Sequence, residues 1–327
     1  MKRCSSVGRR ALLAGSVAAA LPAITLPGAA LAQAPAAPPR VLSTIAMIGD
    51  LVREIGGDRV RAETLLGEGV DPHSYKPTRA DIARLNAADA ILYNGLLLEG
   101  QMTDVFVRLA RGGKPVFAVT ELLAADQLLI EDDGKDDPHV WMDVTLWTKA
   151  AEHIRDELAR LTPANAEAFR RNHAGLAVRL AALDGYVKQV TGTIPENARV
   201  LVTAHDAFGY FARRYGIAVE GIQGLSTEAE AGLRRIQDLV AMLVERRVPA
   251  VFVETSVSDR NVRALIEGAA AQGHRVAVGG ALFSDAMGPP GSYEGTYIGM
   301  MDHNATVIAR ALGGTAPARG LNGRLAG

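Results

Sequence analysis

Short β-type runs alternate with amphipathic helical runs from Val41 onward, and this alternation restricts the fold more than any other feature. The first set covers residues 41–46, 48–55, 60–66, 78–86, 90–93, 98–111 and 115–119, with Thr78 placed to cap the helix that follows it. The second set covers 199–203, 206–215, 217–222, 228–245, 250–254, 259–272 and 275–278. Strands separated by helices pair in parallel, so each set predicts an α/β layer with ligand-bearing loops beyond the strand ends. Between the two sets lies a different stretch, 163–190. Thr162 is placed to cap it, Pro163 suits a first helical position, and Ala168, Leu176, Val178, Leu180, Leu183 and Val187 follow helical spacing. A helix of about 28 residues would span ~42 Å at ~1.5 Å per residue. The fold class is therefore α/β: two α/β lobes with mostly parallel sheets, joined by one long connecting helix.

The N-terminus reads as an export signal. Lys2, Arg3, Arg9 and Arg10 precede an apolar stretch from Ala11 to about Leu26, and Ala30-Leu31-Ala32 supplies the small-x-small cleavage pattern. The Arg9-Arg10 pair allows a twin-arginine route. Pro22 and Pro27 break the stretch, which favours cleavage over membrane anchoring. The expected organisation is a cleaved signal peptide 1–32, a flexible linker 33–40, an N-terminal lobe 41–161, a connecting helix 162–192 and a C-terminal lobe 193–327. The single cysteine, Cys4, lies ahead of the apolar stretch and leaves with the signal. About 295 exported residues without disulfides must then be held by their core, which a 48% apolar chain can supply. Removing four basic residues takes the net charge from −1 to −5. No basic tract offers a footprint for nucleic acid, so no nucleic-acid partner is expected. The predicted location is the periplasm. The last helix is expected over 295–312, stopped by Gly313-Gly314, and the Gly/Ala/Arg/Pro-rich tail 315–327 is expected to be loosely ordered.

Four residues in loops after apolar runs carry the chemistry: His73 in Asp71-Pro72-His73-Ser74-Tyr75, His139 in Asp137-Pro138-His139-Val140-Trp141, His205 in Thr203-Ala204-His205-Asp206, and Asp285 in Phe283-Ser284-Asp285-Ala286. Three imidazoles and a carboxylate form a ligand set for a divalent metal ion that can close only in the folded chain. With no thiolate, the set suits tetrahedral Zn2+; Mn2+ or Fe2+ also fit if Asp285 binds through both oxygens. Both first-lobe histidines follow Asp-Pro, which holds the Asp away from helical conformation and presents the His from a stiff turn. The other histidines, His153, His173, His274 and His303, are read as surface or hydrogen-bonded residues, with His153 and His173 solvent-exposed. Trp141, Met142, Phe208, Tyr210 and Phe283 would wall the site or, more simply, pack the core. Glu254 ends a β run near a ligand loop, where an acceptor would orient an imidazole. Asp285 has a rival reading as a turn cap, like Asp143 or Asp206.

Taken together with Pro77-Thr78, Ala207-Phe208-Gly209-Tyr210 and the run from Glu294 to Asn304, these motifs resemble the TroA-like solute-binding proteins, the periplasmic metal receptors of zinc/manganese ABC importers. The resemblance covers residues 41–312. It implies a metal held between two lobes, with His73 and His139 from the first and His205 and Asp285 from the second. It also implies delivery to a membrane permease, and it leaves room for a metallochaperone that loads the site. The chain is expected to act as a monomer. In manganese-type members the third position resembles a glutamate; His205 here favours zinc. Many zinc receptors carry a long His-rich loop before the second ligand, whereas this chain has only the short acidic stretch Glu131-Asp132-Asp133-Gly134-Lys135-Asp136.

No enzymatic activity is expected. The alternatives are a manganese- or iron-preferring receptor of the same class, an exported zinc-dependent hydrolase, and an adhesin in which metal only stabilises the fold. A catalytic zinc keeps an open position for water, which four protein ligands would close. The chain also has no His-Glu-x-x-His or Gly-x-Ser-x-Gly motif. For a three-imidazole site, affinity is expected to fall as pH drops toward and below ~6.5, where free histidine gains a proton.

Overall fold

The computed structural model describes residues 37–130 and 134–326. The expected signal segment, linker residues 33–36, and residues 131–133 of the acidic stretch lie outside the described residues. The first lobe runs β1 (Arg40–Ser43), α1 (Ala46–Gly56), β2 (Arg61–Thr64), α2 (Arg79–Ala87), β3 (Ala90–Tyr93), α3 (Thr103–Arg111), β4 (Val116–Ala118) and α4 (Val144–Leu161). Its strands form one parallel sheet in the order β2-β1-β3-β4. Thr78 caps α2 as expected, and the cap is reciprocal: its hydroxyl accepts the Asp81 amide while the Asp81 carboxylate accepts the Thr78 amide.

The strand–helix alternation does not delimit helix α4, because a long irregular segment separates it from β4. Its signals are local. Asp143 accepts the amides of Thr145 and Leu146 at 2.8 and 3.2 Å, and Val144, Trp147, Ala151, Ile154 and Leu158 recur every three or four residues on the buried face.

The connector is α5 (Ala166–Gly192), preceded by a 3-10 turn at Pro163–Asn165. Thr162 does not cap it with its side chain; the hydroxyl instead donates to Leu158 O at the end of α4. Buried Phe169, Leu176, Leu180, Leu183, Val187 and Val190 form its inner stripe, whereas Val178 is 71% exposed and lies off it. His173, expected in solvent, is buried on the face that packs against α4.

The second lobe runs β5 (Val200–His205), α6 (Gly209–Tyr215), β6 (Ala218–Gln223), α7 (Leu233–Arg246), β7 (Ala250–Glu254), α8 (Arg260–Ala271), β8 (Ala277–Leu282) and α9 (Tyr297–Ala311). Strands β5-β6 and β7-β8 pair in parallel, and β5 lies beside β7. They form two separate two-stranded sheets, β5-β6 and β7-β8, set side by side, whereas the first lobe has one four-stranded sheet.

The apolar cores do not follow the lobe boundary. The larger joins first-lobe residues to α5, to Phe208, Phe211 and Tyr215 around α6, and to Met300, Met301 and Ile308 of α9. The smaller lies between strands β5, β6 and β7 and helices α7 and α8. Elements on both sides of the connector are therefore buried in one core. The tail corrects its expectation: Leu321 donates its amide to the buried Asp302 carboxylate at 2.9 Å, Leu325 is buried, and Arg324 lies over the Tyr293 ring.

Candidate metal centre

The folded chain brings all four expected positions together. His73 follows β2, His139 follows β4, His205 ends β5 and Asp285 follows β8, so His205 sits at the C-terminal end of a parallel strand and the other three in segments that follow one. All four side chains are buried, and one potential ligand atom from each lies within 4.8 Å of the others. His73 Nε2 is 3.2 Å from His139 Nε2, His205 Nε2 is 3.2 Å from one Asp285 oxygen, and His139 Nε2 is 3.4 Å from the other. A tetrahedral ion with bonds of about 2.0–2.1 Å sets its donors about 3.3–3.4 Å apart, close to these spacings.

Among the described residues, His205 Nε2 and both Asp285 oxygens are buried with no hydrogen-bond partner. Leaving buried donors and acceptors unmet costs about 1–3 kcal/mol each, and more for a charged group. A cation seated between them would satisfy all three atoms, so the donor set fits a divalent metal. Asp285 makes no capping contact, which disposes of its rival reading.

Two imidazoles are aimed by carboxylates. Asp137 Oδ1 accepts the His139 amide at 2.8 Å and lies 2.8 Å from His139 Nδ1. Glu254 Oε1 accepts the His205 amide at 2.9 Å, and its Oε2 lies 2.5 Å from His205 Nδ1. A carboxylate can only accept, so each Nδ1 carries the hydrogen and each Nε2 is left to face a metal. Glu254 thus has the orienting place suggested by its position at a strand end. Asp137 went unassigned, although its place two residues before the histidine marks an Asx-type turn.

The same charges shift the protonation of the imidazoles. Burial, which disfavours charge, holds His73 down at about 4 despite Asp285 nearby. At His139 burial acts in the same sense but is outweighed by Asp137 and Asp285, leaving it at about 9. At His205 burial is likewise outweighed, by Glu254 and Asp285, and the net shift is well upward. Burial pushes Asp285 up, but the neighbouring His205 and His139 hold it well below the usual carboxylate range.

A further buried network supports the His139 turn and was not legible in sequence. Asn94 Nδ2 donates to Pro138 O at 2.9 Å, and the Glu99 carboxylate accepts the Asn94 amide at 2.8 Å and the Thr44 hydroxyl at 2.6 Å. Trp141 links the loops of both lobes: its ring lies edge-on to His139 at 5.3 Å, and Nε1 donates to Ser284 O at 2.9 Å. Tyr210 is fixed by donating its hydroxyl to Asp137 O at 2.8 Å. Phe208 packs on Phe211 and Phe283 on His303, as ordinary core contacts. His274 and His303 approach backbone carbonyls at 2.8 and 2.9 Å, in line with a hydrogen-bonding role.

Comparison with known proteins agrees with this architecture. The family model described as zinc-uptake complex component A, periplasmic (ZnuA), matches residues 41–311. The zinc-binding protein TroA of Treponema pallidum is 45% identical over 274 residues, covering 84% of this chain and 89% of TroA. Its solved structure matches with a TM-score of 0.82, over 84% of this chain and 99% of that one. The manganese-binding lipoprotein MntA of Bacillus subtilis is also 45% identical, over 84% of this chain and 89% of its own length. The Fe(III)-bound YtgA structure from Chlamydia trachomatis shares 30% identity with a TM-score of 0.77, covering 84% and 98% of the two chains. With its profile matched across both lobes and the connector, the chain belongs to the ZnuA family of periplasmic metal-binding receptors of ABC importers.

Proposed function

We propose that the chain captures one divalent metal ion, zinc by preference, through His73, His139, His205 and Asp285, and hands it to the membrane permease of an ABC importer. The observation that carries this reading is the buried, convergent set of three imidazoles and one carboxylate, whose unpartnered atoms are spaced for a small cation. The ion is cargo. Four protein donors close a tetrahedral sphere, which supports a binding role over hydrolysis. The expected export signal supports action in the periplasm, and in this reading the chain works as a monomer, with first-lobe residues 41–161 and second-lobe residues 193–327 each contributing two ligands.

Zinc is favoured by the three nitrogen donors and the absence of a thiolate. A manganese-preferring reading draws on one observation: both Asp285 oxygens lack hydrogen-bond partners, so bidentate coordination is sterically and chemically open. Relatives named for each metal are equally similar to this chain. Elemental analysis of the exported protein, followed by competitive titration with zinc and manganese at neutral pH, decides between them. One zinc per chain that excess manganese does not displace is the expected result. Preferential manganese overturns the choice of metal, and no tightly held metal overturns the receptor reading.

A further inference from the structure

The two Asp-Pro-His turns look alike in sequence but are wired differently. Both use the Asp side chain to accept the amide of the histidine two residues on, at 2.9 Å for Asp71 and 2.8 Å for Asp137. Asp137 spends the same oxygen on the imidazole of its own histidine. Asp71 instead turns its second oxygen outward, where it accepts Ser74 Oγ at 2.8 Å and Thr227 Oγ1 at 2.5 Å. Ser74 belongs to the same turn, but Thr227 comes from the opposite lobe.

Thr227 sits in the segment 224–232 between β6 and α7. Gln101 of the first lobe donates to Glu228 in the same segment, and Gln223 donates to Ala229 O at 3.0 Å, bracing the segment on its own strand. A second approach lies beside it: a Cβ on Gly69, which has φ +67°, would come within 3.3 Å of Thr255 O. The second lobe therefore presses on the 69–73 turn at two points. His73 is also the ligand nearest solvent, at 5% exposure against 0% for His139 and His205, and Ser74 beside it is exposed.

We infer that Thr227 is a positioning residue for His73: by bonding Asp71 across the cleft, it locks the turn that carries the outermost ligand and so sets how fast the metal leaves. His139 and His205 need no such help, since each is aimed by a buried carboxylate. The Thr227 hydroxyl donates to a carboxylate that also holds the His73 backbone, so losing it frees the turn without touching any ligand. This inference rests on the four-ligand reading above.

The test uses the full exported protein loaded with zinc, with release followed by stopped-flow mixing with an excess of a chromogenic chelator. Thr227→Val keeps the shape of the side chain and removes the hydroxyl; Thr227→Ser keeps the hydroxyl. Zinc dissociation roughly tenfold faster or more in Thr227→Val is expected, the scale of one hydrogen bond to a charged group. Thr227→Ser should stay near the unmodified rate in the same assay. Unchanged release in Thr227→Val, or equal acceleration in both variants, overturns the inference while leaving the metal site intact. An unmodified protein that holds no zinc overturns the four-ligand reading, and this inference with it.

Discussion

Glu254 grips His205 twice, accepting its backbone amide at 2.9 Å and facing its Nδ1 at 2.5 Å, with both side chains fully shielded from solvent. The pair joins the C-terminal ends of the neighbouring strands β5 and β7. Carboxylates behind metal-bound imidazoles hold the ring and raise its basicity, and their loss weakens binding roughly 10- to 100-fold. Glu254→Gln should therefore lower zinc affinity on that scale in a competitive titration. An unchanged affinity would remove Glu254 from the site's support.

His205 and His173 are both buried histidines, yet only His205 faces the other three donors. His205→Ala should abolish tight zinc binding. His173→Ala should leave affinity intact and register only in the melting temperature, because His173 packs between α5 and α4. Equal losses of affinity in the two variants would undo the ligand assignment.

Metal and protons compete for His139 and His205. In the metal-free protein both are raised above their ordinary value, His139 to about 9, against the burial that opposes their charge. The stability from these ion pairs is fully present below the unfolded value of about 6.5 and is lost as pH rises through the folded values, which for His139 is about 9. Zinc must displace the same protons, so its affinity should rise with pH, by up to about tenfold per pH unit for each proton displaced, and continue to rise above neutrality. The zinc-induced increase in melting temperature should likewise grow from pH 6 to pH 9. The carboxylates thus extend the window above the ~6.5 expected for a free imidazole. A flat affinity between pH 6 and pH 8 would contradict the three-imidazole site.

Asp302 is wholly buried and accepts from Tyr293 Oη at 2.8 Å, from Thr306 Oγ1 at 3.2 Å and from the Leu321 amide. Deleting residues 317–327 would strip the last donor and uncover Tyr293, which Arg324 now covers. A cost of about 1–3 kcal/mol is expected, the penalty of under-satisfying a buried acceptor. For a chain of this size that corresponds to a fall of several degrees in melting temperature. A deletion variant that melts with the full chain would show that the tail contributes nothing.

The alternation of strands and helices, the long connector and the four donor positions that the fold brings together were legible in the chain, because each rests on local chemistry. Thr78 followed by Asp81 is a cap that needs no tertiary partner, and Asp-Pro-His presents a histidine from a turn whatever surrounds it. Helix α4 falls outside the strand–helix alternation although Asp143 and the apolar spacing behind it are local signals, since the long segment after β4 breaks the alternation. The burial of His173 and the docking of the tail depend on partners far away in sequence, which no local pattern encodes.

The sequence by itself determined which residues hold donor atoms, which segments carry them and the parallel α/β layers that place loops at one end of each sheet. Only the tertiary structure decided how those donors are aimed. Asp137 and Glu254 select the Nδ1 hydrogen of their histidines, whereas Asp71 reaches Thr227 across the cleft. Identical Asp-Pro-His turns can take either course because a carboxylate has acceptor capacity left after holding the amide, and it bonds whatever donor the fold brings within about 3 Å, a distance set by the packing of lobes and loops rather than by the turn.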